Sequence, residues 1–195
     1  NRILTIGGPA PEVGKSFVSA NLGALIAQLG RRVLVVDADL RRGHLHRSFG
    51  ATREPGLSAL IAGEARLENA VVPSTVEGLF LLPTGKLPPN PGELLVSRRF
   101  EDLLANLAAS YDVVILDAPP VLAAAEAAHL AKLAGVNFVV VRSGRQNRRE
   151  VELAVDRLAH GGGAPRGFIF NDLTAGSRRY AYAGYRYYRY EAKPS

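Results

Sequence analysis

Short apolar runs alternate along the chain with longer segments that have helical spacing. Each run holds five or six residues rich in Val, Ile, Leu or Phe, and its apolar positions are continuous rather than alternating with polar ones. Continuous runs are typical of strands that are buried on both faces of a parallel sheet. The six predicted strands are residues 2–6, 31–36, 79–83, 112–116, 136–141 and 166–170.

Four segments between these runs repeat apolar residues at three- and four-residue intervals, which predicts helices. The first ends at Gly30, a natural helix stop, and the second opens with Pro91 near its first turn. Alternating strands and helices predict an α/β three-layer sandwich with a mostly parallel central sheet and right-handed crossovers. We expect this domain over residues 1–174 and a tail over residues 175–195. The predicted helices are residues 15–30, 91–111, 123–135 and 147–163.

The composition narrows the classes of protein to which the chain can belong. With 195 residues the chain can form one domain with a substantial core, and 47% hydrophobic with 22% charged residues excludes global disorder. The absence of cysteine excludes disulfides and thiol chemistry. The net charge of +6 suits a polyanionic partner such as a nucleotide, a nucleic acid or an acidic membrane surface. A general preference for arginine explains that charge equally well.

A glycine-rich segment follows the first predicted strand and leads directly into the first helix. It ends in Gly14-Lys15-Ser16, the core of a phosphate-binding loop, in which backbone N–H groups at a helix start surround a phosphate. The lysine of such a loop reaches the β- and γ-phosphates, and the serine hydroxyl faces Mg²⁺. Pro9 stands where the motif has its first glycine, and Glu12 brings a carboxylate into the loop, so this loop is atypical.

Three aspartates follow two of the predicted strands. Asp37 and Asp39 end one buried run, and Asp117 ends another. The carboxyl ends of parallel strands meet at the crevice where such sheets bind ligands. Beside a phosphate loop, one aspartate can order Mg²⁺ or its water, and another can orient or deprotonate an attacking hydroxyl. The alternative role is a structural one, in which these side chains cap the turns that follow the strands.

The motifs occur in one order over nearly the whole chain. After the phosphate loop come "VDADLR", "LPPNPGELL", "YDVVILDAPP" and a tyrosine-rich end. The chain therefore resembles the bacterial tyrosine kinases (BY-kinases), specifically the cytoplasmic kinase domain of Wzc-like polysaccharide co-polymerases. The resemblance implies a P-loop NTPase-like fold of the MinD/ParA type, with ATP and Mg²⁺ as nucleotide and metal ion.

The resemblance also implies roles for individual residues. Asp37 is the candidate for activating the tyrosine hydroxyl and forms a catalytic set with Lys15 and Asp39, although a neighbouring aspartate stays open as the base. Asn171, at the end of the last predicted strand, is a candidate adenine contact, because related P-loop proteins read the base from that strand. A hydrogen bond from the Asn171 side chain to nearby backbone is equally compatible with the sequence. The predicted nucleotide contacts are Gly14, Lys15, Ser16, Phe17 and Asn171, and the predicted Mg²⁺ ligands are Ser16, Asp37, Asp39 and Asp117.

Six of the seven tyrosines lie between Tyr180 and Tyr190, where nothing in the sequence can bury them. The resemblance implies that neighbouring subunits of a ring phosphorylate one another on this cluster, while we expect the fragment alone to be monomeric or weakly associated. It further implies a cognate tyrosine phosphatase, a membrane-anchored upstream segment in the same or a partner chain, and a place at the cytoplasmic face of the bacterial inner membrane. The implied role is regulation of exopolysaccharide or capsule polymerisation and export, with no nucleic acid as partner. The predicted phosphoacceptors are Tyr180, Tyr182, Tyr185, Tyr187, Tyr188 and Tyr190.

The competing interpretation is a MinD/ParA-like ATPase switch that binds DNA or membrane. Its basic, aromatic tail would hold nucleic acid or anionic lipid by stacking and charge. Those ATPases carry a second lysine five residues before the loop lysine, and this chain has Ala10 there. They also lack a tyrosine-rich terminus, so the sequence favours the kinase.

Overall fold

The structure is a computed structural model that describes residues 1–173. Within that range seven strands form one sheet in the order β3-β4-β2-β5-β1-β6-β7. All neighbouring strands are parallel except β3, which pairs antiparallel with β4 at one edge. The strands are β1 (Ile3–Gly7), β2 (Val33–Asp37), β3 (Val72–Pro73), β4 (Leu79–Leu82), β5 (Val113–Asp117), β6 (Val136–Arg142) and β7 (Gly167–Asn171).

Helices cover both faces of this sheet. Along β2, Val33 and Val35 pack on the side of α1, whereas Leu34 and Val36 pack on the side of α3, α5 and α6. All four side chains are buried, which explains why the strand has no polar alternation. The helices are α1 (Lys15–Gln28), α2 (Leu45–Ser48), α3 (Leu57–Ala62), α4 (Leu67–Ala70), α5 (Pro91–Leu95), α6 (Arg98–Ser110), α7 (Glu126–Leu133) and α8 (Arg148–His160).

The predicted three-layer, mostly parallel architecture is confirmed, and all six predicted strands form within two residues of their expected ends. The single helix predicted over residues 91–111 is wrong, because the chain breaks between α5 and α6. The Ser97 side chain caps α6 by accepting a hydrogen bond from the Phe100 N–H at 3.3 Å. The three short helices α2 to α4 and the edge strand β3 were not predicted.

The N-terminal starts of α1 and α8 illustrate how local sequence sets the element boundaries. α8 begins with a capping box in which the Asn147 side chain accepts from the Glu150 N–H and the Glu150 carboxylate accepts from the Asn147 N–H, each at 2.9 Å. α1 has no side-chain cap, so no capping side chain of the described residues occupies its first N–H groups. This helix start lies at the carboxyl edge of the sheet, where β1 ends.

Candidate active site

Two of the predicted aspartates lie side by side at the carboxyl edge of the sheet. β2 and β5 are neighbours, and their register pairs Asp37 directly with Asp117. Both side chains are buried, with 0% and 2% of their surface exposed. Because the two parallel strands end at the same edge of the sheet, two carboxylates that are 80 residues apart in the sequence lie side by side.

The phosphate loop connects β1 to α1 beside these carboxylates. Gly14 immediately precedes the helix with a φ of 99°, a conformation that favours glycine. A Cβ at Gly8 would lie 2.7 Å from a methyl of Val13 and 3.0 Å from the Val140 carbonyl oxygen. Gly8 therefore allows the loop to pack closely on its own far end, although it lies one residue earlier than the usual motif places its glycine.

The first turn of α1 is hydrogen-bonded to Asp117. The Ser16 hydroxyl donates to Asp117 Oδ2 at 2.6 Å, and the Ser19 hydroxyl lies 3.1 Å from Asp117 Oδ1. Lys15 is buried and donates from Nζ to the Ala10 carbonyl oxygen at 3.4 Å, so its side chain folds back over the loop. The loop serine is thus hydrogen-bonded to the carboxylate of β5, and the charge of the loop lysine acts on the same carboxylate.

Burial dominates the electrostatics of this group. It raises the pKa of Asp37 to about 7, with a further contribution from the charge of Asp117, while the hydrogen bond from the Leu45 N–H acts in the opposite direction. Burial also raises the pKa of Asp117 to about 6, against the hydrogen bond from Ser16 and the charge of Lys15. Both carboxylates therefore hold a proton up to a higher pH than an exposed aspartate does.

The arrangement fits a hard divalent cation. Asp37 Oδ1 is buried and has no hydrogen-bond partner among residues 1–173, and the Ser16 hydroxyl adds a neutral oxygen next to Asp117. Oxygen donors of this kind are the ligands that Mg²⁺ prefers. Within the described range no group of three His, Cys, Asp or Glu side chains is arranged to hold a metal ion by itself. Mg²⁺ bound here would take its other ligands from water and nucleotide phosphates, as is usual for this ion.

Asp39 shapes the segment that follows β2. Its Oδ1 accepts from the backbone N–H groups of Arg41 at 3.2 Å and Arg42 at 3.0 Å, and the Leu45 N–H donates to Asp37 Oδ2 at 2.9 Å. These bonds are the turn-capping role that is common for aspartate. They also hold Asp39 where it lines a cavity beside the phosphate loop, so the structural and the functional interpretations both apply to this residue.

A cavity of about 670 Å³ lies between the phosphate loop and the segment after β2. Seven of the eight residues predicted to be catalytic or to bind nucleotide or Mg²⁺ line it, and of these eight only Asn171 does not. The lining members are Gly14, Lys15, Ser16, Phe17, Asp37, Asp39 and Asp117. A volume of this size is in the range of small-ligand pockets.

Asn171 instead contacts the phosphate loop from behind. Its Nδ2 donates to the Val13 carbonyl oxygen at 3.0 Å. Arg142, at the end of the neighbouring strand β6, donates to the Glu12 carbonyl oxygen at 3.1 Å and pairs with Asp172 at 2.9 Å. The ends of β6 and β7 therefore fix the conformation of the loop at Glu12, whose φ is 60°.

Two residues that contact the phosphate loop or Asp117, Arg142 and Ser19, were missed from the sequence. Arg142 comes directly after a predicted strand, as the aspartates do, and this position was a signal that could have identified it. Ser19 lies on α1 three residues after Ser16, on the same helix face. The predicted phosphoacceptor tyrosines and the proposed tail lie outside the described residues. No helix of the described part is long and apolar enough to cross a membrane.

Comparisons with known proteins agree with this geometry. A family model for an AAA domain matches residues 2–145. Tyrosine-protein kinase ptk of Acinetobacter johnsonii is 44% identical over 180 residues, which cover 92% of this chain and 25% of that protein. The chain thus spans about a quarter of the length of such curated relatives.

Two solved structures are similar to the chain over most of its length. The kinase domain of the Escherichia coli tyrosine kinase ETK superimposes with a TM-score of 0.88 and is 39% identical, with 96% of this chain and 73% of that chain covered. The septum site-determining protein MinD of Pyrococcus horikoshii OT3, solved with Mg-ADP, has a TM-score of 0.71 and 27% identity, covering 87% of this chain and 69% of that one. The fold is therefore that of a P-loop NTPase, and the chain belongs to the family of bacterial tyrosine kinases.

Proposed function

We propose that this chain is the catalytic domain of an ATP-dependent protein tyrosine kinase that phosphorylates its own C-terminal tyrosine cluster in trans. The main support for the proposal is that Lys15, Ser16, Asp37 and Asp39 line the same cavity. A phosphate-binding loop beside a carboxylate whose pKa lies near neutrality is what transfer of a phosphoryl group to a hydroxyl needs.

In this proposal the loop binds ATP. The uncapped N–H groups at the start of α1 surround the β- and γ-phosphates, and Lys15 exchanges its contact with the Ala10 carbonyl for phosphate oxygens. Asn171 and Arg142 keep the loop backbone in place from the other side. When bound, Mg²⁺ would offset the charge of the β- and γ-phosphate oxygens, held on the protein side by Ser16, Asp37, Asp39 and Asp117.

Asp37 is the proposed proton acceptor. Burial raises the pKa of Asp37 to about 7 in the metal-free site. Bound Mg²⁺ would lower that pKa and favour the ionised form of Asp37, which is the form that can accept a proton. The tyrosine oxygen attacks the γ-phosphorus, the bond to the oxygen that bridges the β- and γ-phosphorus breaks, and ADP leaves. The phenol proton passes to Asp37, and Asp39 keeps the segment after β2 in the conformation that faces the acceptor.

The acceptors in this proposal are Tyr180, Tyr182, Tyr185, Tyr187, Tyr188 and Tyr190 of a neighbouring copy. Six phenols in eleven residues give a neighbouring site many equivalent hydroxyls, which supports a substrate role for the cluster. Each added phosphate carries nearly two negative charges and offsets the arginines of the same segment. Phosphorylation would therefore change the net charge of the segment from positive to negative.

Membership in the family supports the wider setting. We propose a ring of neighbouring copies in the intact protein, a membrane-anchored upstream segment in the same or a partner chain, and a location at the cytoplasmic face of the inner membrane. A cognate tyrosine phosphatase would remove the phosphates from the tyrosine cluster. The regulated process would be polymerisation and export of exopolysaccharide or capsule.

Mass spectrometry of the intact protein incubated with ATP and Mg²⁺ tests the proposal. We expect additions in multiples of one phosphate, all on the peptide that contains residues 180–190. Lys15→Met should reduce the rate about 10- to 100-fold or more, because a charge-assisted contact contributes about 1.5–3 kcal/mol. Lys132→Met, at an exposed lysine on α7, is the matched control and should leave the rate unchanged.

The same experiment separates the kinase from a MinD/ParA-like switch. An unmodified tail, combined with ATP hydrolysis and salt-sensitive retention on DNA or anionic vesicles, would favour the switch. A Lys15→Met protein that phosphorylates its tail at the normal rate would overturn the kinase assignment of this site.

A further inference from the structure

Thr84 lies beside the Asp37 carboxylate, just after β4. β4 and β2 are parallel neighbours, so the residues that follow β4 pass next to the end of β2. The Thr84 carbonyl oxygen accepts from the Ser58 N–H at 3.0 Å, which fixes this position on the start of α3. Thr84 is completely buried, as Asp37 is. The fold therefore holds a buried hydroxyl at a fixed place next to the proposed base.

Gly43 shows how close the two side chains are. A Cβ at Gly43 would lie 1.8 Å from Thr84 Oγ1 and 2.6 Å from Asp37 Oδ1. The two oxygens are therefore no farther apart than these two distances together, so a small rotation of either side chain brings them within hydrogen-bond range. The backbone at Gly43 packs directly over both oxygens, and only glycine leaves room for them there.

Both oxygens are buried without a hydrogen-bond partner among the described residues. This holds for Asp37 Oδ1 and for Thr84 Oγ1, whereas Asp37 Oδ2 accepts from the Leu45 N–H at 2.9 Å. Their burial excludes bulk water, and buried polar atoms in folded proteins rarely stay unpaired. A threonine hydroxyl donates and a carboxylate oxygen accepts, so a single hydrogen bond between the two satisfies both atoms.

We propose that Thr84 is a positioning residue whose hydroxyl donates to Asp37 Oδ1 and fixes the orientation of that carboxylate. The Leu45 N–H holds only one of the two oxygens, and a contact at the other oxygen fixes the plane of the group. Each carboxylate oxygen has two lone pairs, so Oδ1 accepts from Thr84 and keeps a lone pair for Mg²⁺ or the phenol proton. The inference rests on the proposed kinase function, which gives Asp37 its role.

Loss of the Thr84 hydroxyl should slow the chemical step and leave ATP binding unchanged. Thr84→Val keeps nearly the same shape without the hydroxyl, and in the intact protein it should lower kcat about tenfold with the KM for ATP within about twofold of wild type. Thr84→Ser restores the hydroxyl and should return kcat to within about threefold of wild type. Thr75→Val, the same substitution at an exposed threonine, is the matched control and should change neither constant.

Urea denaturation of the nucleotide-free 195-residue chain tests the contact without turnover. Thr84→Val should raise the equilibrium constant for unfolding about tenfold, because Asp37 Oδ1 loses its donor. In an Asp37→Ala background the same substitution should leave that constant unchanged or lower it, because the hydroxyl has no acceptor to lose. Thr84→Ser should unfold nearly as wild type does, which keeps the test decisive even if Asp37→Ala fails to fold.

Three results would overturn the positioning role. An equal effect of Thr84→Val on unfolding in both backgrounds would mean that the hydroxyl does not bond to Asp37. A Thr84→Ser protein as impaired as Thr84→Val would assign the effect to packing of the methyl group. A rise in the KM for ATP that matches the loss of kcat would assign Thr84 to nucleotide binding.

Failure of this inference and failure of the kinase assignment give different results. An inactive protein in which Thr84 and Asp37 are still coupled in unfolding would contradict only the kinase assignment. An active kinase whose kcat is unchanged in Thr84→Val would contradict only the role of Thr84.

Discussion

Replacing Asp37 with asparagine should stabilise the nucleotide-free protein at neutral pH. Asp37 is fully buried beside Asp117, and its ionisation is opposed by both burial and that neighbouring charge. Asparagine has nearly the same shape and retains an oxygen to accept from the Leu45 N–H, which lies 2.9 Å from Asp37 Oδ2. The substitution therefore removes the charge and leaves the packing largely unchanged.

The size of the effect follows from the pKa. The rise from 3.8 to about 7 means that ionising Asp37 at pH 7.5 opposes folding by about 4 kcal/mol, at about 1.4 kcal/mol per pKa unit. Relaxation and water entry around buried charges reduce such penalties, so we expect a gain of about 2 kcal/mol in the free energy of unfolding. For a domain of this length that gain corresponds to a melting temperature about 4–8 °C higher.

The pH dependence gives the prediction its sign. Asp37 has a higher pKa in the folded than in the unfolded protein, so its contribution to stability is complete below about pH 4 and is lost as the pH rises through about 7. Asp37→Asn does not titrate. The difference in stability between variant and wild type should therefore be close to its minimum at pH 4 and reach its full value above pH 7.

Thermal and urea denaturation without Mg²⁺ or nucleotide, at pH 4.5, 6 and 7.5, measure this difference. Asp156→Asn, at an exposed aspartate on α8, is the matched control and should change stability little at any of these values. A variant that is no more stable than wild type at pH 7.5, or a gain that does not depend on pH, would refute the electrostatic reasoning. Kinase activity should fall about 10²- to 10⁴-fold in Asp37→Asn, since the proposed base is lost.

Two further predictions concern the phosphate loop. Gly14→Ala should weaken ADP binding more than tenfold in a calorimetric titration, because its φ is 99° and the new Cβ would lie 2.0 Å from Asn171 Nδ2. Gly30→Ala, where φ is 78° and no atom lies within 4 Å, should reduce stability by about 1 kcal/mol and leave ADP binding unchanged. Asn171→Ala should weaken ADP binding about 2- to 10-fold through loss of its hydrogen bond to Val13, and an unchanged affinity would contradict a positioning role.

The parts of the fold that the sequence predicts are those with strong local patterns. Five of the six strands could be located because they are largely buried on both faces and therefore read as unbroken apolar runs. β7 has the same kind of run although Phe168 and Phe170 are exposed. The break at Ser97 was missed because leucines continue at helical spacing on both sides of it. Only the Ser97 side chain, which caps α6 by accepting from the Phe100 N–H, marks the new start. The helices α2 to α4 have four to six residues, which is too short for a periodic pattern.

The candidate site divides in the same way. Lys15, Ser16, Asp37 and Asp117 could be proposed because a motif or a strand end marks each of them. Arg53 has no such signal, since it lies in an irregular loop and reaches the cavity only through the path of the chain after α2. Whether Arg53 lies at the cavity depends on how separate elements pack against one another, and no local sequence pattern contains that information.

The central claim is that one copy transfers phosphate from ATP to the tail of another. The direct measurement mixes an isotopically heavy Lys15→Met protein with a light active protein whose six tail tyrosines are phenylalanine, and maps phosphopeptides after adding ATP and Mg²⁺. We predict phosphate on the heavy peptide that contains residues 180–190, and none when the light protein also carries Lys15→Met. An unmodified heavy peptide, under conditions in which the wild-type protein phosphorylates its own tail, would contradict transfer between copies.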